Sequence, residues 1–339
     1  MSERTTQEQP ASASRHGGKH SPAALDHLSP NQRAWRRFRR NRLAIGSGIL
    51  LGSVVAIVVV WPLFARPAIA THLPAAMTWS PVSLSESQFR APDAQHWFGT
   101  DVHGRDLLSR AFYGARISLV VGLVGAGVSL VIGIFWGAIA GYLGGRWDAL
   151  MMRFVDVLYS LPSIVFVIVL IGTLEGFLKD WLARITSSDT SGLARMVFLF
   201  AGLGAVSWLT MARIVRGQVL ELRGRAFVDA SRVLGATHRQ ILLRHILPNI
   251  YGIIIVYLTL TVPSIILYES FLSYLGLGIQ PPQASLGYLI ADGAISINPI
   301  RIYWWLIVFP GGLLALTLLA LNFLGDGLRD AWDPRSEGN

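Results

Sequence analysis

No cysteine occurs in the 339 residues. Its absence excludes a disulfide framework, thiolate-bound zinc, iron–sulfur clusters and a thiol nucleophile, and leaves the redox compartment open. Lysine is nearly absent too. The two lysines, Lys19 and Lys179, are followed by His20 and Asp180, so no G-x-x-x-x-G-K-[ST] phosphate loop exists. There is no H-E-x-x-H and no G-x-S-x-G. Charged residues make up 14% of the chain against 52% hydrophobic ones. With Gly counted and Tyr left out, the apolar share is roughly 59%, where soluble domains hold ~45–50%. A soluble monomer would expose too much apolar surface. The chain reads as an integral membrane protein.

Six apolar runs are each long enough to cross a bilayer, which takes ~20 residues. They cover 43–64, 117–142, 151–174, 196–216, 250–275 and 302–324. None alternates as a barrel strand does. The reading is all-α, with six transmembrane helices and Gly-rich faces such as GLVGAGVSLVIGIFWGAIAGYLGG that allow close helix approach. Six spans leave both termini on one side. Of the 29 Lys+Arg, 20 fall on that side and 9 on the other, so both termini are expected in the cytoplasm. The net charge of +9 is then mostly a topology signal, and localisation in the cell membrane follows.

Residues 1 to about 30 lack an apolar period and read as a disordered tail, with no signal-peptide core after Met1. NQRAWRRFRRNR follows, where Trp35 and Phe38 would share a helix face and the arginines would meet anionic lipid. A simple positive flank orienting the first span is the plainer reading. The expected organisation is a tail with its basic segment at 1–41, the first helix and an extracytoplasmic loop at 42–116, a five-helix core at 117–325 holding a cytoplasmic loop at 217–249, and a C-terminal tail at 326–339.

Few ionisable groups enter the spans. Asp156 and Glu269 are candidates for a substrate path, since intramembrane charges usually face a cavity or a partner. Snorkelling or a local pair is the plainer account of both. Pro162, Pro263 and the Pro310-Gly311-Gly312 run interrupt spans, as hinges or as static kinks. Asp101, His103 and Asp106 could be written as metal ligands, but around a Gly-Arg pair they read better as loop staples. No metal site is expected.

GQVLELRGRAFVDASRVLGATHRQILLRHILPN (217–249) carries apolar residues near helical spacing with arginines between them. It is either a basic loop resting on the membrane or a short helix offering a cytoplasmic partner an amphipathic face. Gly235 would permit close approach there, and Pro248 stands where the next helix begins.

This segment resembles the cytoplasmic signature of ABC importer permeases, Glu-Ala-Ala, three residues, Gly, nine residues, Ile-x-Leu-Pro. Asp229, Ala230 and Ser231 fall on the triplet, Gly235 on the glycine, and Leu247 and Pro248 on the end; Asp, Ser and His245 depart from the pattern. FGTDVHGRDLLSRAFYGARISL (98–119), with Gly99, Thr100, Asp101, Gly104, Arg105 and Asp106, resembles the outer-loop signature of the dipeptide/oligopeptide permease group. So do FVDASRVLGATHRQILLRHILPN, ESFLSYLGLGIQPPQASLGYLI and WWLIVFPGGLLALTLLALNFLGDGLRDAWDP. LSPNQRAWRRFRRNRLA resembles the N-terminal region of that group's C-type partner. The resemblance runs from about Leu28 to Pro334; within it the outer stretch 176–195 has no counterpart and reads as an insertion.

The resemblance implies a type I ABC importer-like permease with no catalytic residue and no cofactor of its own. A homologous second permease, two cytoplasmic ATPase subunits carrying ATP and Mg, an extracytoplasmic substrate-binding protein, a di- or oligopeptide substrate and membrane lipid are the implied partners, with no nucleic acid. Phe227 and Leu234 would anchor the ATPase, Asp229 would cap or pair with a cation, and the charges of Arg105 and Asp106 would pair with each other or with the binding protein. Relatives of the same architecture carry nickel chelates, glutathione or antimicrobial peptides. A self-sufficient channel or secondary carrier and a membrane-anchored nucleic-acid binder are the alternatives of other classes, and neither accounts for 217–249.

Overall fold

The computed structural model describes residues 30–64, 80–170, 172–173, 191–281, 283–297 and 300–332. The N-terminal tail before residue 30 and the expected insertion up to residue 190 lie outside them. Regular structure among the described residues is helical, apart from one antiparallel bridge between Thr100 and Asp106. A short helix, α1 (Pro30–Phe38), stacks Trp35 on Phe38 with centroids 5.9 Å apart, so the two share one face as their spacing requires. The Asn41 side chain then accepts from the backbone N–H groups of Leu43 and Ala44 and starts α2 (Arg42–Phe64).

Among the described residues four helices are long and apolar enough to span a membrane: α2, α3 (Leu107–Leu143), α8 (Tyr251–Tyr274) and α10 (Trp305–Trp332). A fifth candidate is bent. The apolar run expected as one span at 151–174 is α4 (Gly145–Ser160) followed by α5 (Ser163–Leu170), turned by 90°. Leu161 is extended (φ −80°, ψ 138°), because the Pro162 ring disfavours helical backbone before it. Pro263 and Pro310, by contrast, sit inside continuous helices. The expected span 196–216 falls within α6 (Ser191–Arg223), whose side chains are described from Gly202 onward.

Two boundaries differ from the hydropathy reading. The second span begins at Leu107 rather than 117, and its 37 residues make a helix of about 55 Å. Arg110 and Arg116 hide this extension from hydropathy, yet Leu107, Leu108, Ala111 and Ala115 are buried against the rest of the chain. At the other end α10 runs to Trp332, through the expected start of the C-terminal tail.

Packing centres on α3 against α6. A Cβ at Gly133 would lie 2.5 Å from the Met211 Cβ, and one at Gly141 would lie 2.7 Å from the Arg216 carbonyl oxygen. One at Gly137 would overlap the Ala212 carbonyl. Glycine at every fourth residue thus lets the two backbones touch. A short apolar helix, α9 (Leu286–Ile295), packs on α8 and α10. Its Ser285 cap donates to Glu269 Oε1 at 2.6 Å, Ser273 donates to the same oxygen at 2.6 Å, and Leu286 N–H donates to Ser118 of α3 at 3.1 Å. Three helices are joined by this one polar clamp.

Candidate functional site

The residues of 217–249 do not form a loop throughout. Residues up to Arg223 continue α6, and α7 (Ala226–Val233) follows. Its Val228 is fully buried with Val215 and Val219 of α6 and with Ile241, Ile246 and Ile250. That apolar base fixes α7 to the helix it leaves. The helix ends in a Schellman motif: Ala236 N–H donates to the Ser231 carbonyl and Gly235 N–H to the Arg232 carbonyl, with Gly235 at φ +83°. A Cβ on Gly235 would meet open space, so the positive φ is what requires glycine there, not close approach. Thr237 and Gln240 then close a capping box, and Tyr142 hydroxyl bonds His238 Nδ1 at 2.7 Å. From Ile241 the helix widens into a π turn and tightens again over Leu247–Asn249, with Pro248 near its start.

Val233 and Leu234 project from the end of α7 with 88% and 86% of their surface exposed, while Phe227, in its first turn, is 39% exposed. Asp229 is also exposed and accepts from Arg232 Nη1 at 2.8 Å within the same helix. Ala230 is exposed, Ser231 donates to the Phe227 carbonyl, and Leu247 packs on the Val228 cluster while Pro248 is exposed. Two large aliphatic side chains on a rigid base form a ready-made apolar contact. Val228 and Val233 escaped the sequence reading; the first is marked only by its helical spacing from the buried positions around it.

A second feature lies midway along the spanning helices, at the α4–α5 bend. There a cavity of about 470 Å³ opens between that bend, α6 and α8. The bend contributes Tyr159 and Ser163, and α6 contributes Ser207 and Thr210. Tyr257, Thr261, Ser264 and Tyr268 come from α8, spaced i, i+4, i+7, i+11 and therefore on one face. That hydroxyl spacing is visible in the sequence, although no charge marks it. Among the described residues the cavity lining holds no Asp, Glu, His, Lys or Arg. Asp156 sits beside the cavity, exposed and bonded to Arg213 at 2.7 Å, and the Arg213 guanidinium lies 4.1 Å over the Tyr159 ring. Glu269, the other candidate, is instead enclosed within the chain in the Ser273–Ser285 clamp.

The outer-loop motif is closed on itself. Asp101 accepts from the backbone N–H groups of His103 and Arg105, from Arg105 Nε at 2.7 Å, and pairs with Arg110 at 3.3 Å. Asp106 caps α3 through Ser109 N–H and bonds His96 Nδ1 at 3.0 Å. Thr100 donates to the Ser87 carbonyl, and Trp305 Nε1 donates to the Thr100 carbonyl. Gly104, at φ +69°, leaves no room for a Cβ against the Ser85 backbone, and Gly99 packs on the Arg90 carbonyl and Trp305. All six motif residues are buried, and the charges of Arg105 and Asp106 face groups of this chain. Among the described residues no three His, Asp or Glu side chains gather as a metal would require.

Comparison with known proteins agrees with this anatomy. Residues 133–338 match the model of the binding-protein-dependent transport system inner membrane component family, and residues 29–81 match that of the N-terminal TM domain of oligopeptide transport permease C. The oligopeptide transport system permease protein OppC of Haemophilus influenzae is 44% identical over 306 residues, covering 90% of this chain and 88% of that protein. OppC of Escherichia coli K12 is 45% identical, covering 90% and 91%. The dipeptide transport system permease protein DppC of Bacillus subtilis is 41% identical, covering 91% and 87%. A chain of the inward-facing MetNI methionine ABC transporter superposes with a TM-score of 0.50 at 20% identity, covering 66% of this chain and 97% of that one, a likeness of fold alone. The chain belongs to the inner membrane components of binding-protein-dependent transport systems, in their OppC-type branch, and is a permease rather than an ATPase.

Proposed function

We propose that this chain is the C-type permease of an ABC importer for di- or oligopeptides. It forms half of the pathway beside a homologous second permease, with six spans and both termini in the cytoplasm. Two cytoplasmic ATPase subunits bind ATP and Mg, one of them docking on 217–249 of this chain and the other on the second permease, and an extracytoplasmic binding protein delivers the peptide. The peptide cargo rests on the relatives named above, which are oligopeptide and dipeptide permeases.

The observation that carries the mechanism is the exposed Val233–Leu234 tip on the buried Val228 base. Val228 packs on Val215 and Val219 of α6, and Thr210 of the same helix lines the cavity, about 14 Å from Val219 at 1.5 Å per residue. Arg216 of α6 also grips Asp148 of α4, whose helix carries Tyr159 into the cavity wall. Movement of an ATPase against the tip therefore reaches two walls of the cavity through rigid helices. No covalent chemistry is asked of this chain. The cavity holds no histidine or carboxylate, which favours peptide over a metal chelate.

The test is uptake of labelled di- to hexapeptides into proteoliposomes holding both permeases, the ATPases and the binding protein. Uptake that needs ATP and all subunits is expected. Transport by this chain alone without ATP would make it a channel or carrier instead.

A further inference from the structure

The hydroxyls lining the cavity at the Pro162 bend make no side-chain hydrogen bond between helices among the described residues. The depth of the cavity is informative: α8 runs from Tyr251 to Tyr274, and the lining residues Tyr257, Thr261, Ser264 and Tyr268 occupy its middle. Hydroxyls at that depth are out of place against lipid and belong to a protein contact or a wet cavity. The same residues would be a poor interface core for a second permease, because the space between them is concave.

The bonding of these groups leaves them able to take a ligand. Ser207, Thr261 and Ser264 donate to carbonyls of their own helices, at 3.1, 2.6 and 3.3 Å, and so present acceptor lone pairs to the cavity. Among the described residues Tyr257, Tyr268 and Thr210 make no side-chain hydrogen bond, so each can donate or accept. Groups able to donate and groups able to accept thus share, with apolar neighbours such as Leu158, Phe166 and Leu260, a space of about 470 Å³, within the ~300–1,000 Å³ range of small-ligand sites. An extended peptide presents both N–H and C=O groups to such a lining. The nearest charges, Arg213 and Asp156, neutralise each other, with the guanidinium laid on Tyr159.

From this we infer that the cavity is a transit site for the peptide main chain, in which neutral hydroxyls bond amide groups while no fixed charge sorts the side chains. The inference rests on the peptide-importer reading and adds to it the residues that meet the cargo and the reason passage is indifferent to side-chain charge. Selection by sequence then belongs outside this chain.

The absence of native cysteine makes the test direct. In the full complex, Ser264→Cys and Thr210→Cys are treated with a charged, water-soluble thiosulfonate, and Ser53→Cys on the exposed face of α2 serves as reference. Labelling at 210 and 264 that trialanine, delivered by the binding protein, slows about fivefold or more, as a mostly occupied site requires, supports the site. No labelling at either position in any nucleotide state overturns it. Labelling indifferent to trialanine also overturns it. As a second arm, Ser264→Asp should make uptake favour Lys-Ala-Lys over Glu-Ala-Glu about tenfold beyond the ratio set by the binding protein, whose affinities are measured separately. An unchanged ratio removes the residue from the path. Failure of the importer reading is distinct: the unsubstituted complex would then show no ATP-dependent uptake at all.

Discussion

Arg216 of α6 holds Asp148 of α4 with both edges of its guanidinium, Nε to Oδ1 at 2.5 Å and Nη2 to Oδ2 at 2.7 Å. The carboxylate side is 10% exposed and the arginine 35%, so water screens the arginine more than its partner. A planar fork on a carboxylate fixes orientation as well as distance, and this pair sets the angle between two helices that both reach the cavity. Arg216→Ala is expected to destabilise the chain by about 1–3 kcal/mol, below the value for a fully enclosed pair because the arginine is partly solvated. Arg216→Lys keeps the charge but loses the fork, and should recover less than half of peptide-stimulated ATPase activity. Thermal unfolding in detergent and ATPase assays of the complex check the two effects separately.

Asp101 carries the outer loop in a comparable way. It is the shared anion for Arg105 and Arg110, which are 6% and 1% exposed. Asp101→Asn keeps the shape and most hydrogen bonds but leaves two guanidinium groups enclosed without their counter-charge. A loss of about 3–5 kcal/mol is expected. Hydrogen exchange over 85–106 should rise well above that of the unsubstituted chain, whereas Asp229→Asn, an exposed site, should change neither.

A third expectation concerns acid. The backbone N–H of His96 holds the Asp93 carboxyl below its ordinary value of 3.8, with Gln95 N–H and the nearby Arg90 adding to the effect against a desolvation cost. A carboxyl lowered by folding stabilises the folded loop above its unfolded pKa, and that contribution fades as pH falls through the folded value. Loop protection should therefore be flat from neutral pH to about 4 and decline below it. Asp93→Asn should flatten part of that decline, read by hydrogen exchange across the acid range.

How much of this was legible beforehand depended on whether the signal was local. The run 250–275 became α8, and the segment around Gly235 became a projecting helix, because apolar length and helical spacing are local properties. Pro162 bends its helix by 90° while Pro263 and Pro310 do not, and no local feature separates the three. Arg110 was invisible as a partner of Asp101 because hydropathy placed it in a loop, while in fact it sits on the first turns of α3. The cavity joins segments around 160, 207 and 261, so only the α8 hydroxyl spacing could have announced it.

Close approach of α3 and α6 yields a fourth expectation. Gly137 faces the Ala212 carbonyl with no room for a side chain. Gly137→Leu must separate the helices or distort one, which costs about 1–3 kcal/mol or more. Gly127, on the same helix with nothing near its Cβ position, should accept alanine without loss. Melting temperatures of the two variants make the comparison.

The tip of α7 supplies the final expectation. Val233 and Leu234 are almost wholly exposed, so replacing them changes little inside this chain, while Val228 on the next turn is enclosed. Leu234→Asp should leave the melting temperature near its starting value and weaken ATPase association by about 2 kcal/mol, close to thirtyfold, as loss of an aliphatic anchor does. Val228→Asp should instead unfold the base, since it places a charge among Val219, Ile241 and Ile246. Gly235→Val tests a different property. The space around it is open, so the cost is the positive φ alone, and uptake should fall without a steric clash to explain it. Co-purification of the ATPase with each variant, alongside peptide uptake, separates contact from geometry. Full association of the Leu234→Asp variant would mean that the ATPase grips some other surface, and that the exposed pair is not the lever.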